Sequence, residues 1–450
     1  MEKHRYTRAE LETINVHNLR KLLKNEFLGV PGSKSKSVMI DEILDIQGAA
    51  VTPSRTGTNS RPTSDFMQVP KQTAQALDTL FAEMQKRLES ANDFSRARLR
   101  EVTEKTNSVE VVGIIDIVQD NYGKFITHKV SGGKKLGDIY IPKQFVRYYG
   151  LRSGDEIKAI VVPLASQGTY GLTSVSLING KSYKLNDENV NFPSLEKYYP
   201  AEKLRLSSSG RLQPFYRMAD LFCLMGKGQR AIVQLPENAN VIAFSNDLIC
   251  AMNEAEMYTV SLLLDCRPED VTYLRQSSSQ VYYTDFEDDV LKCRERVRQA
   301  FDRAYRLAES GKDVGILLNS LDFLQASLPQ DTADGEIKKL LKSVGSTKEH
   351  GSLTLIALTV GESGRAVFDK YSGMCNLRAV ARTGAYGELA LSVGESFAST
   401  ARAVFGVRPF EDKARFALAT KAVTEESFYA LPFDTSDKSL AKAVDEIVGK

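Results

Sequence analysis

From Val109 onward, apolar and polar positions alternate with a period of two through VEVVGIIDIV, DIYIPKQFV, DEIKAIVVPL and TYGLTSVSLI. Gly, Asp and Asn turns separate these β-branched runs, and short strands at this spacing predict a small barrel over residues 108–185. Beyond it, across 186–450, the pattern changes to strands alternating with helices. AIVQL, YTVSLLLD, VYYTDF, VGILLNS and LTLIALTV are the strand candidates. Asp289–Ser310 is expected to form a long charged helix with Val290, Val297, Phe301 and Leu307 facing inward. Such alternation predicts a mostly parallel sheet covered on both faces, with helices in Phe410–Lys450 closing one edge. The centre of that sheet is VGILLNS, an apolar run that breaks into Asn319–Ser320 just before a helical pattern.

Ahead of the barrel the signals are helical. In residues 1–48, Leu11, Ile14, Leu19, Leu22 and Leu23 form one apolar face, Gly29–Val30–Pro31–Gly32 breaks it, and Val38, Ile40, Ile43 and Leu44 form a second. Two short helices around a basic turn suit either a nucleic-acid-binding module or a protein-docking one. Residues 49–107 begin with TPSRTGTNSRPTS, which has almost nothing to bury and reads as a linker. Leu77, Leu80, Phe81, Met84 and Leu88 then mark one amphipathic helix within Lys71 to Val102. That helix either pairs in a short coiled coil or covers the next domain.

Composition narrows the chemistry. A chain with 42% hydrophobic and 26% charged residues is of ordinary globular type. Its net charge of +2 means that any basic surface is local. Between 121 and 160 there are eight Lys or Arg against three Asp or Glu, interleaved with Tyr122, Phe125, Tyr140, Tyr148 and Tyr149. Rings on which bases stack, beside cations that follow phosphates, are the parts of a single-strand binder; the same rings could instead fill the barrel core. Five scattered cysteines and four dispersed histidines show no metal-ligand spacing, so no metal site is expected. No run approaches about 18 apolar residues, and MEKHRYTRAELE lacks the apolar stretch of a secretion signal. A cytoplasmic protein without a membrane partner is the expectation.

The order of these parts resembles bacterial transcription termination factor Rho. GIIDIVQDNYGKF and GDIYIPKQFVRYYGLRSGDEI are similar to that family's RNA-binding barrel, and YYPAEKLRL at 198–206 to the segment joining barrel and motor. MGKGQRAIV at 225–233, LLLDCRPEDVTYLRQ at 262–276 and GSLTLIALT at 351–359 match its motor strands in order. The resemblance implies an N-terminal helical module, an OB-fold or cold-shock-like barrel and an α/β RecA-like domain. By motif position it assigns RNA contacts to Tyr122, Lys124, Phe125, Tyr140 and Tyr170, and to Arg365 in a pore loop around GESGR.

At the catalytic positions the chain departs from the family. The phosphate-loop window is QLPENANV (234–241), which by position puts Ala239 at the glycine, Asn240 at the lysine and Val241 at the metal-binding hydroxyl, with Glu237 adding negative charge. Phosphate binding needs backbone N–H groups, a cation and a metal-binding oxygen together. Cys266 replaces the glutamate that positions water, Asn319 replaces the magnesium-side aspartate, and Phe397 falls where an arginine finger is expected. The other pore segment, LPQDTADGEIKK (328–339), is shorter and more acidic than the family pattern. No catalytic residue, nucleotide or magnesium ion is therefore assigned.

The resulting expectation is a Rho-like regulator of termination that binds single-stranded RNA with its barrel and keeps a motor fold without ATP hydrolysis. It would act alone with RNA polymerase, or in a homo- or hetero-hexameric ring with copies or an active homologue. An active RNA-dependent ATPase and helicase, and a scaffold without an RNA function, are the alternatives.

Overall fold

The computed structural model describes residues 11, 36–37, 39–40, 73–79, 82, 108–118, 121–130, 136–164, 168–182, 190–200, 202–208, 211, 213–223, 225–384, 387–392 and 395–398. The expected module at 1–48, apart from isolated helical positions, lies outside these residues. So do the linker, the tail Phe410–Lys450 and Leu80, Phe81, Met84 and Leu88. The chain divides into two compact units, Met1–Asn189 and Val190–Lys450.

In the first unit a short helix α1 (73–79) precedes β1 (Val109–Ile117), β2 (Gly123–Val130) and β3 (Asp138–Ile141). Helix α2 (Lys143–Tyr149), β4 (Glu156–Pro163), β5 (Thr169–Ile178) and β6 (Lys181–Ser182) follow. The strands run β3-β2-β1-β4-β5-β6, and a parallel β3–β5 pairing closes the barrel. A register shift at Ile114/Ile115 bends β1, the local kink that small barrels use to turn a corner. Alternate residues of each strand point inward, so Val111, Ile115, Ile139, Ile157, Val161 and Leu172 share one core. Helix α2 adds Phe145 and Val146 to that core and stops at Gly150, whose φ of 60° is the left-handed conformation a helix C-terminus favours.

The second unit opens with β7 (Lys203–Leu204), α3 (Pro214–Phe222), β8 (Met225–Gly226) and β9 (Arg230–Leu235). Then come α4 (Val241–Glu254), β10 (Tyr258–Leu263), α5 (Pro268–Leu274), β11 (Gln280–Tyr283) and α6 (Val290–Glu309). They are followed by β12 (Val314–Leu318), α7 (Leu321–Ser327), α8 (Ala333–Ser343), β13 (Gly345–Ser346) and β14 (Ser352–Val360). The described part ends with α9 (Gly361–Ser372), β15 (Leu377–Thr383), β16 (Leu389–Leu391) and β17 (Phe397–Ala398).

The sheet order is β11-β10-β12-β14-β9-β15-β16, with β11 through β15 parallel along that path. Every residue of β12 is buried. Leu317 packs toward α3 and α4, whereas Ile316 and Leu318 pack toward α6, α8 and α9. Each such side chain contributes on the order of 2 kcal/mol by leaving water, which accounts for an apolar run without alternation. The barrel-plus-RecA-like fold class is the one expected, but DIYIPKQFV is not one strand. It ends at Ile141, Pro142 removes a ladder donor, and Lys143–Tyr149 turns into α2, while β2 was not among the expected runs. One inward position differs: Val297, Phe301 and Leu307 are buried, but Val290 is 46% exposed. Val290 sits in the turn that Asp289 caps by accepting from Lys292 N at 2.8 Å, and the packed stripe of α6 begins only at Cys293.

Candidate functional site

Parallel α/β sheets bind ligands beyond the carboxyl ends of their strands. Here the ends of β9, β10, β12 and β14 border a cleft of about 1280 Å³. The turn between β9 and α4 is short. Ala239 N donates to Pro236 O at 3.0 Å, and Asn240 caps α4 by accepting from Ala243 N at 3.0 Å. The first-turn donor that a phosphate would use is thus taken by the chain's own amide. Neither Asn240 nor its neighbours Ala239, Val241 and Ile242 brings a cation or a hydroxyl. Among the described residues, the only cationic side chain lining the cleft is Arg267, against the carboxylates of Asp265, Asp270 and Asp322. Glu237, expected beside this site, lies instead along a smaller hollow with Arg365, Arg382 and Glu395.

Asn319 sits at the end of β12 and is 8% exposed. Its Oδ1 accepts from Leu264 N at 2.7 Å, and its Nδ2 donates to Leu264 O at 2.9 Å. The amide therefore reads both the N–H and the C=O of one residue at the end of β10. A carboxylate can accept from the N–H but cannot donate to the carbonyl, so Asn319 is built into the fold as an amide.

Cys266 is buried, and its Sγ donates to Thr284 O at 3.2 Å. Burial, with Asp270 adding to it, pushes the thiol up to about 12. The thiol stays protonated at neutral pH and supplies neither charge nor nucleophile. Alkylation with iodoacetamide at mildly alkaline pH, followed by peptide mass analysis, is expected to leave Cys266 unmodified until denaturant is added. Rapid labelling of the folded protein would contradict this placement.

The Arg365 guanidinium is partly exposed and ion-paired. It pairs with Asp369 at 3.2 Å and Glu395 at 3.3 Å, and it lies over the Phe368 ring. Arg382 Nη2 meets the same Glu395 carboxylate at 2.6 Å. The Ser392 hydroxyl, with Arg382, holds that carboxyl below its usual range. The segment 361–365 is the first turn of α9 rather than a loop, and 333–339 of the acidic segment is helical in α8. Phe397 lies on β17 with the Arg378 guanidinium 5.2 Å from its ring centre.

On the barrel, β2 and β3 bring Lys124 and Tyr140 onto one face, whereas Tyr170 on β5 stands on the inward side with Ile139. Tyr140 on β3 is opposite Lys124 on β2, and Ile139 opposite Tyr170 on β5. Lys124 Nζ is 3.2 Å from Asp138 and 5.4 Å from the Tyr140 ring centre. Burial raises the Tyr140 hydroxyl above its ordinary range. Tyr170 is half-buried at the rim of the core. Phe125 departs from its expected role. It is 4% exposed and belongs to the core, because Gly113 on β1 leaves the room its ring fills. It presents no face to a base.

Tyr122 and Tyr140 are each 5% exposed, packed in a cluster with Val118 and the wholly buried Leu77 of α1. The Tyr122 hydroxyl donates to the Asp78 carboxylate, 3.1 Å from both oxygens, and Lys143 Nζ lies 5.8 Å from the Tyr122 ring centre. The periodicity of 71–102 marks an amphipathic helix but not its destination, so Leu77 and Asp78 were not legible as part of this face.

The family model described as "Rho termination factor, RNA-binding domain" matches residues 111–184, which contain the barrel strands. Transcription termination factor Rho of Mycobacterium bovis is 31% identical over 326 residues, covering 66% of this chain and 53% of that protein. The Rho of Cereibacter sphaeroides is 26% identical over 302 residues, covering 62% and 72%. The chain thus spans about half the length of the mycobacterial relatives it matches. Among solved structures, a prototypical ATPase of a type III secretion system aligns at 13% identity with a TM-score of 0.43, over 61% of this chain and 92% of that one. Residues 111–184 thus match the Rho RNA-binding domain, and the chain is similar to Rho proteins over about two thirds of its length.

Proposed function

We propose that this chain binds single-stranded RNA on the barrel face of Tyr122, Lys124 and Tyr140, with Tyr170 at the rim of the core, and acts in transcription termination or its regulation without hydrolysing ATP. The observation that carries the reading is the contrast between the two candidate sites. The barrel gathers rings and a lysine on adjacent strands, whereas the described lining of the cleft has one arginine against three aspartates and an Asn319 amide fully engaged by backbone. Phosphoryl transfer relies on positioned cations and a metal held by carboxylate and hydroxyl oxygens. With no lysine and no hydroxyl in the β9–α4 turn, and its first-turn donor already used by Asn240, the cleft offers little to hold a triphosphate, and in this reading the RecA-like domain serves as scaffold. Arg365, neutralised by Asp369 and Glu395, is a weak phosphate contact in this reading.

The remaining parts of the proposal are a cytoplasmic setting and contact with RNA polymerase. A ring of copies, or a mixed ring with a hydrolysing homologue, also belongs to it. Among the described residues, no helix is long and apolar enough to cross a membrane.

The test pairs two assays. Stacking on an aromatic side chain is worth about 1–3 kcal/mol per base. Tyr140→Ala and Tyr170→Ala are therefore each expected to weaken binding of a pyrimidine-rich oligoribonucleotide by about fivefold to a hundredfold. Phosphate release from ATP at saturating RNA is expected to stay at background. Equal binding by wild type and both variants would remove the RNA reading. Turnover that Asn319→Ala abolishes would restore the reading of an active ATPase.

A further inference from the structure

Helix α1 occupies the barrel face to which RNA binding has just been assigned. Leu77 is fully buried against Val118, Tyr122 and Tyr140, with Ala74 beside it. One residue on, the exposed Asp78 receives the Tyr122 hydroxyl and lies 3.5 Å from Gln144 Nε2. Lys143, on the same α2 helix as Gln144, is the cation placed over the Tyr122 ring. An apolar group against the rings and an anion at their polar edge are also what one nucleotide supplies, as base and phosphate.

We propose that α1 is an intramolecular competitor for single-stranded RNA, docked on Tyr122 and Tyr140 until RNA displaces it. This rests on the RNA reading of the barrel and names the regulation of that same face.

The local energetics support a reversible role. Among the described residues, α1 is held on the barrel by Leu77 in the apolar cluster and by Asp78 at the Tyr122 hydroxyl, contacts of a kind that one nucleotide can replace. The covalent link through 80–108 keeps the segment at high effective concentration near the face. A docked segment lowers apparent RNA affinity by the fraction of molecules in which the face is open, and weakening the dock returns that affinity. Tyr122 has two separable parts here: its ring stacks, whereas its hydroxyl holds Asp78.

The experiment measures binding of a fluorescent pyrimidine-rich oligoribonucleotide to the full chain, with hydrogen exchange of 73–79 followed in parallel. Asp78→Ala touches only an exposed side chain, and Tyr122→Phe keeps the ring. Both are expected to bind RNA severalfold more tightly, and Leu77→Ala about tenfold more tightly. RNA is expected to abolish exchange protection of 73–79 in the wild type.

If wild type binds RNA but all three variants match it, or bind more weakly, the competitor is refuted while the RNA reading stands. RNA that leaves protection of 73–79 unchanged refutes it equally. Absence of binding in wild type and in every variant removes the RNA reading, and the competitor with it.

Discussion

Asn319→Asp is expected to destabilise the RecA-like domain by about 2–4 kcal/mol rather than restore a metal site. The variant carboxylate keeps the hydrogen bond from Leu264 N. It loses the one to Leu264 O and sets an oxygen against that carbonyl, where Nδ2 now stands at 2.9 Å. The position is almost wholly buried, so water cannot offset the repulsion. In a domain of this size the cost corresponds to a melting temperature lower by about 5–15 °C.

The sign of the pH dependence follows from which protonation state fits. In the Asn319→Asp variant, a protonated carboxyl can donate to Leu264 O, as the amide does, so its folded-state pKa lies above the unfolded value of about 3.9. The deficit is then smallest below about pH 4 and grows as pH rises toward the folded pKa. Thermal melts of wild type and variant from about pH 4 to about pH 8 check this. A variant as stable as wild type at neutral pH, or one that gains ATP turnover, would show that Asn319 is not held as described.

Gly113→Ala is expected to disrupt the barrel and abolish the RNA binding proposed for it. A Cβ at this central β1 position would fall 2.0 Å from Thr127 O and 2.8 Å from both His128 Cα and the Phe125 ring. Two of these neighbours are backbone of the paired strand β2, so relief requires moving the β1–β2 ladder itself. The cost is about 3 kcal/mol or more, a large share of the roughly 5–15 kcal/mol that a domain typically has. Gly180→Ala is the control. Gly180 has φ +78° but nothing within 4 Å of the added carbon, so it bears only the strain of the left-handed region, about 1–2 kcal/mol. Limited proteolysis and RNA binding of the two variants are expected to rank Gly113→Ala far below Gly180→Ala. The reverse order would contradict the β1–β2 register.

How much was legible in the chain differed between the two candidate sites. At the cleft, the substitutions Cys266, Asn319 and Asn240 stand in readable strand-end positions, because a parallel sheet places its site at predictable ends of apolar runs. On the barrel, the alternation marked the strands but could not say which rings face outward. Phe125 turns inward because Gly113, on the neighbouring strand, leaves the space. Arg365 reads as a free cation in the chain, yet it is paired with Asp369 and Glu395, and the latter lies thirty residues away in sequence.

Periodicity was enough to specify the fold class and most elements, although it did not mark β2 or separate helix α2 from β3. Period-two runs and unbroken apolar runs dictate a barrel followed by a covered parallel sheet, since burial of those patterns admits few alternatives. That Asn240, Cys266 and Asn319 carry neither a cation nor a carboxylate was equally plain, because residue identity needs no coordinates. What the replacements do, and what lies over the barrel, emerged from the folded arrangement. Asn319 is an amide because Leu264 offers it both a donor and an acceptor. Leu77 and Asp78 belong to the tyrosine face because α1 docks there. Both depend on contacts between residues far apart in the chain, which local periodicity does not encode.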